Sequence, residues 1–291
     1  MKVPIAWPIR GGAVDLEPWA LMGVVNATPD SFSDGGLHLD PAAAATAAVT
    51  MVEAGATVID VGGESTRPGA DRVDAAEQIR RVVPVIESIR GRSDVAISID
   101  TTLSEVAKAA IEAGANAIND VAAGTEDPAI FAVAAETRAG LVLMHRRLPP
   151  TEDRYSDRYD APPTYSDVVA EVTSFLLDRA AVAESAGVDP AAIALDPGLG
   201  FGKSVEQNYA LIARLGEIAT LGRPLLVGAS RKSFIGAVAG VAEPAERVPG
   251  SVVAAVVGWS AGARLIRTHD VAATRQGLEV ARAVLGATPI A

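Results

Sequence analysis

The residues that could do chemistry recur at one kind of place, where a short apolar run gives way to polar side chains. In chain order these are Asn26, then Glu64-Ser65-Thr66-Arg67-Pro68, Asp100, Asn119-Asp120, His145, Asp196, Ser230-Arg231-Lys232, and Arg267 with His269. Asp100, Asn119 and Asp196 could bond along the edge of a flat heterocycle rich in N–H groups, because a carboxylate takes two parallel bonds from an amidine-like edge. Arg67, Lys232, Arg267 and His269 form a cationic set suited to phosphate oxygens. Asn26 offers a neutral oxygen, and a Mg2+ ion bound mainly by substrate phosphates needs few protein ligands. The expected site is therefore split, with acceptors for a heterocycle on one side and cations for a phosphate on the other.

The elements that must position these groups alternate. Eight near-continuous apolar runs read as parallel strands covered on both faces: 20–25, 57–61, 95–99, 116–118, 141–144, 193–195, 224–227 and 264–266. Alanine-rich helical stretches lie between them and stop at Ala-Gly pairs (54–55, 113–114, 139–140, 186–187, 261–262), where glycine takes the left-handed position that ends a helix. Asp40-Pro41, Asp127-Pro128 and Asp189-Pro190 read as acidic helix caps with proline at the first position. Thr102 to Glu105 and Ser204 to Gln207 read as capping boxes. Eight such units predict an α/β fold, a single (β/α)8 TIM barrel, with chemistry at the C-terminal ends of the strands. A doubly wound sheet is the alternative, disfavoured because no glycine-rich phosphate loop follows the first strand. Arg10-Gly11-Gly12-Ala13 reads as a turn, so residues 1–19 are expected to form a hairpin plugging the barrel bottom and 20–291 the barrel. The loop Thr28 to Gly36 carries Phe32 among polar residues and reads either as ordinary surface or as a lid that excludes water.

Composition narrows the function. The 291 residues are 49% hydrophobic, and no apolar run reaches the roughly 18 residues of a membrane helix. Zero cysteines exclude disulfides, thiol nucleophiles and thiolate metal sites. A net charge of −11 argues against nucleic-acid or anionic-membrane partners. A cytoplasmic protein acting on small molecules is expected.

The stretch Met22 to Gly36, containing Asn26-Ala-Thr-Pro-Asp30-Ser-Phe32, resembles the first signature of the dihydropteroate synthase family, and Asp60-Val-Gly-Gly-Glu-Ser-Thr-Arg-Pro-Gly-Ala70 resembles its second. The likeness continues in order through Ser98-Ile-Asp100, Asn119-Asp120, Met144-His145, Asp196 to Lys203, Gly228 to Phe234 and Arg267 to Asp270. This resemblance implies a barrel, usually dimeric, that joins 6-hydroxymethyl-7,8-dihydropterin pyrophosphate to p-aminobenzoate with Mg2+, releasing 7,8-dihydropteroate and pyrophosphate in folate biosynthesis. It implies that Asp100, Asn119, Asp196 and Lys232, with Thr66 and Met144, hold the pterin. Arg67, Arg267 and His269 would hold the pyrophosphate, and Asn26 would touch both the pyrophosphate and Mg2+. Phe32, Pro68, Phe201, Ser230 and Lys232 would shape the p-aminobenzoate pocket. Asp30 and Phe32 on the lid join Arg67, Asp100 and Lys232 as the expected catalytic set. The same resemblance makes the protein a sulfonamide target.

Other residues read as ordinary structure. Lys203 and His38 are expected to be solvated, His145 structural, Phe234 core, and Glu64 and Asp120 bonded to backbone amides. Residues 146–165 depart from the family pattern and read as a solvated loop. Two rival functions are a methyltetrahydrofolate–corrinoid methyl transfer barrel and a non-catalytic pterin-binding paralogue. The first has no use for the Ser-Thr-Arg-Pro loop or for Arg267 and His269; the second usually lacks lid or phosphate residues present here.

Overall fold

The computed structural model describes residues 4–27 and 40–286. The expected lid, with Asp30 and Phe32, and also His38 lie outside the described residues.

The chain opens with a two-stranded antiparallel hairpin, β1 (Ala6–Ile9) and β2 (Gly12–Asp15), joined by Arg10-Gly11. Eight parallel strands follow: β3 (Ala20–Asn26), β4 (Val58–Gly62), β5 (Ala96–Asp100), β6 (Ala117–Asp120), β7 (Gly140–Met144), β8 (Ile193–Asp196), β9 (Leu226–Val227) and β10 (Leu265–Thr268). They neighbour one another in the order β8-β7-β6-β5-β4-β3-β10-β9, and a parallel bridge between Leu195 and Leu225 brings β8 to the start of β9. That contact closes the sheet into the expected (β/α)8 barrel. The helices are α1 (Pro41–Glu53), α2 (Ala75–Arg90), α3 (Ser104–Glu112), α4 (Ile130–Thr137), α5 (Val168–Ser185), α6 (Val205–Ala213), α7 (Leu215–Ala219), α8 (Ser233–Ala239), α9 (Val248–Ser260) and α10 (Val271–Gly286). No helix among the described residues is long and apolar enough to cross a membrane.

Alternation along each strand separates two cores. Residues such as Leu21, Ile59, Ile97 and Leu141 face the helices. The residues between them face inward, and Met22, Val58, Ala117, Val142, Ala194 and Leu265 pack at the barrel bottom around Trp7. Trp7 is wholly buried and its Nε1 donates to Ala192 O at 2.8 Å. The hairpin thus supplies the apolar floor beneath the polar mouth.

Several local expectations need correction. Asp40 caps α1 and Ser204 with Gln207 forms a capping box, as expected. Asp127 instead caps a turn, accepting from Ala129 N at 3.1 Å, and α4 begins three residues later at Ile130. Its other oxygen accepts from Ser104 N at 2.7 Å, so a neighbouring loop caps α3 and Thr102 is free to donate to Glu126 at 2.7 Å. Asp189-Pro190 starts only a three-residue 3-10 turn before β8. At the end of α4 Arg138, at φ 55°, takes the left-handed position, and Gly140 instead opens β7, where Ile9 and Trp7 leave its α-carbon no room for a side chain. Residues 146–165 are not a solvated loop throughout: Asp153 and Ser156 are buried, where Asp153 accepts from Gly202 N at 3.0 Å and Ser156 Oγ from Asn208 Nδ2 at 3.0 Å.

Candidate active site

Inward alternation carries upward from the floor, so the last inward residue of each strand opens into the mouth. The pairing register sets Asn26, Gly62, Asp100 and Asn119 in one row across β3 to β6. Met144 and Asp196 are register partners on β7 and β8. Period-two geometry therefore delivers most of the expected heterocycle-binding residues to one cavity mouth.

One layer deeper lies a residue that sequence reasoning passed over. Asp60, with a fully buried side chain, accepts from Ser98 Oγ, from Asn119 Nδ2 at 3.0 Å and from Arg267 Nε at 2.7 Å. Arg267 Nη2 also donates to Asp100 Oδ2 at 2.9 Å. Burial opposes the Arg267 charge, but the Asp60 and Asp100 carboxylates outweigh it and hold its pKa above the ordinary value. Burial pushes Asp100 well above the usual carboxylate range; Arg267 opposes that shift and the charge of Asp60 adds to it. The other oxygen of Asp100, Oδ1, is buried without a hydrogen-bond partner among the described residues. An unpaired buried acceptor is costly and calls for a donor.

Across the mouth, Asp196 Oδ1 accepts from Gly198 N at 2.7 Å, and burial pushes its pKa up to about 6. Lys232 lies with Nζ 3.9 Å from the Phe201 ring centroid, a cation–π contact. Burial draws Lys232 down to about 8, with Arg267 adding to the shift and Asp196 opposing it. Val121, Met144 and Phe201 make a small apolar cluster of their own, a surface fit for a ring. Just after β10, His269 Nδ1 is 3.0 Å from Ser230 Oγ. Burial first, then the charges of Arg267 and Arg231, press His269 down to about 3, so it enters as a neutral imidazole and not as the cation its type suggested. Arg231 is committed to Asp270, with Nε to Oδ2 at 2.9 Å.

Arg67 is exposed on the loop after β4, beside half-buried Thr66 and Pro68. That loop is tied down by charge. Arg72 reaches Glu64 at 3.0 Å and Glu126 at 2.9 Å, and Glu126 also pairs with Arg146 and accepts from Thr102. Gly69 N donates to Pro150 O at 2.7 Å. Four successive strand-to-helix loops are thus linked at the rim. Glu64 accepts from Val73 N, and Asp120 from Ala122 N and Gly124 N, as expected. Phe234 is core.

Lys203 is the clearest correction. It is not solvated: it is wholly buried, with Nζ at 2.8 Å from Phe201 O, 2.9 Å from Gly198 O and 2.9 Å from His145 Nδ1. A buried donor among carbonyls that the turn directs inward had no signature in residue type alone.

The model of the pterin binding enzyme family matches residues 22–269, from within β3 to just past β10. The dihydropteroate synthase of Escherichia coli K12 is 44% identical over 278 residues, covering 96% of each chain. The chain belongs to the dihydropteroate synthase family. Among solved structures, the family member from Xanthomonas albilineans with 4-aminobenzoic acid superposes with a TM-score of 0.87 at 44% identity, covering 97% of this chain and 100% of that one. A second structure of that enzyme, in complex with 7,8-dihydropteroate, gives 0.84 at 41% identity over 96% and 98% of the two chains. In the family's terms the residues fall into three groups that the geometry joins: Asp100, Asn119 and Arg267 through Asp60; Asp196, Phe201 and Lys232 along one wall; and Ser230 with His269. Thr66, Arg67 and Pro68 stand on the rim. Among the described residues no group of three or more His, Asp or Glu could hold a metal by itself. Among the described residues Asn26 stands alone at the end of β3, which fits an ion whose other ligands come from a bound phosphate.

Proposed function

We propose that this barrel mouth condenses 6-hydroxymethyl-7,8-dihydropterin pyrophosphate with p-aminobenzoate, giving 7,8-dihydropteroate and pyrophosphate in folate biosynthesis. The observation that carries this reading is the buried Oδ1 of Asp100, which has no partner among the described residues, at a mouth already floored by Asn119 and Asp196. A pterin edge supplies the N–H donor that this oxygen lacks.

The reaction breaks the bond between the pterin methylene and the pyrophosphate oxygen and forms one from that methylene to the aniline nitrogen, which then loses a proton. Arg67, Arg267 and the N–H of neutral His269 stabilise the departing pyrophosphate. Asn26 would hold a Mg2+ ion there, which would supply further positive charge to the leaving group when bound. Asp100, as carboxylate, stabilises the positive charge that spreads into the pterin ring; groups placed in advance for such charge are each worth about 3 kcal/mol. Thr66, Met144 and Lys232 complete the pterin site. Phe201, Pro68 and Ser230 line the seat of the second ring, where Lys232 faces its carboxylate. Asp30 and Phe32 belong to the lid that shuts water out. An aniline needs no strong base, which agrees with the absence of any cysteine nucleophile. The p-aminobenzoate seat makes the protein a target for sulfonamides. Pyrophosphate release measured with each substrate alone, with both, and with and without Mg2+ tests the activity. Release only in the complete mixture is expected; bound pterin with no turnover leaves a non-catalytic paralogue.

The assembly we propose is a homodimer through α9 and α10. Val253 and Val257 on α9, and Val280, Val284 and Leu285 on α10, are exposed on two helices that pack against each other. An apolar face of this kind marks an interface. Sedimentation is expected to give twice the chain mass, and Val257→Glu with Val284→Glu to give the monomer; a wild-type monomer overturns the reading.

A further inference from the structure

Lys203 is a wholly buried cationic side chain that the reaction leaves without a part. An ammonium has three N–H donors and no acceptor. Three acceptors meet it here: Gly198 O, Phe201 O and His145 Nδ1, with His145 O more distant at 3.3 Å. Burial first, and then the Lys203 charge, drive His145 down to about 2, so its ring is a neutral acceptor. Burial draws Lys203 itself down to about 7, opposed by the charges of Asp196 and Asp153.

The turn that Lys203 fills is the one carrying Phe201. It joins β8 to α6, and while Leu199 anchors its outer side in the core, its backbone carbonyls at Gly198 and Phe201 turn to the Lys203 ammonium. Gly198 sits at φ 66°, and a Cβ there would stand 1.9 Å from His145 O, so the turn is pressed flat on the end of β7. A Cβ at Gly200 would stand 3.0 Å from Lys232 Cδ on the opposite side. The outward amides are taken by other elements: Gly200 N donates to Asn208 Oδ1 at 2.6 Å and Gly202 N to Asp153 Oδ2 at 3.0 Å. The inward carbonyls are taken by Lys203. Asp196 accepts from Gly198 N of this turn at 2.7 Å, but its own backbone is anchored in β8, where its residue is paired with Met144.

We propose that Lys203 is a positioning residue whose ammonium fixes this turn, and through it the aim of the Phe201 ring under Lys232, so that it sets the seat of p-aminobenzoate far more than the strand-anchored pterin floor. It acts through the turn and touches no reacting atom. The proposal rests on the reading of the mouth given above. Its test is Lys203→Met in the full chain, with the KM of each substrate measured separately. The KM for p-aminobenzoate is expected to rise about tenfold or more, while that for the dihydropterin pyrophosphate stays within about twofold. A merely structural role predicts a lower melting temperature with no such split. His145→Leu removes one of the three acceptors, leaves a ring-lined niche beside Phe175, and is expected to move the same KM by about threefold; it decides the matter if Lys203→Met does not fold. Equal rises in both KM values, or none in either, overturn the role of Lys203. A wild type without turnover overturns both this proposal and the function it rests on.

Discussion

Asp100→Asn is expected to lower kcat by about a hundredfold or more while changing the KM for the dihydropterin substrate by no more than about threefold. The amide keeps the shape of the side chain and one acceptor oxygen, so ground-state contacts to a heterocycle largely survive. What is lost is the negative charge, which matters only when positive charge develops in the ring. The pH dependence supplies an independent check. Burial raises the Asp100 pKa, and the ionised form is the one the reaction needs, so activity rises with pH as Asp100 deprotonates. The acid limb of kcat/KM, which reports the free enzyme, then lies above the usual carboxylate range and disappears in the variant. Equal losses in kcat and in pterin binding, or an unmoved acid limb, sink the assignment.

Arg267→Met is expected to destabilise the fold by about 3–5 kcal/mol, besides cutting turnover. Arg267 is the cation bonded to both Asp60 and Asp100, whose side chains are 0% and 7% exposed. Removing it leaves two carboxylates facing each other in a site that water barely reaches. The double variant Asp60→Asn with Arg267→Met removes the worse of the two orphans and should recover part of the loss, a coupling of about 1–3 kcal/mol. Urea unfolding of the two single variants and the double variant measures it. Additive effects would mean that Asp60 and Arg267 do not depend on each other.

Much of this was legible in the sequence, for a physical reason. Parallel strands buried on both faces write themselves as apolar runs, and in a barrel their C-terminal residues converge, so Asp100, Asn119, Asp196 and Arg267 could be assigned to one mouth from position alone. Asp60 was missed because it lies inside a strand. A charge within Val58-Ile-Asp-Val61, two residues before the inward Gly62, was the available signal. Lys203 was misread because the carbonyls that hold it belong to backbone, which no residue type announces; the alternating glycines before it were the trace of a turn folded tightly on itself. The loop after His145 was misread because its polar composition is spent on buried partners, Asp153 on Gly202 and Ser156 on Asn208, and not on solvent. The Asp127 cap failed because its carboxylate serves another helix, a choice that only tertiary proximity makes.

The position of Arg267 in the chain has a consequence for biosynthesis. Asp60 and Asp100 lie in the first half, yet their counter-charge arrives on the last strand, 207 and 167 residues later. During vectorial synthesis the half made first therefore emerges with two acids and no base to bury beside them. Until the last strand arrives, that half keeps the mouth open to water. The charge that readies the site for substrate is also the one that lets the ring of strands be sealed, so assembly of a working mouth and completion of the barrel become a single late event.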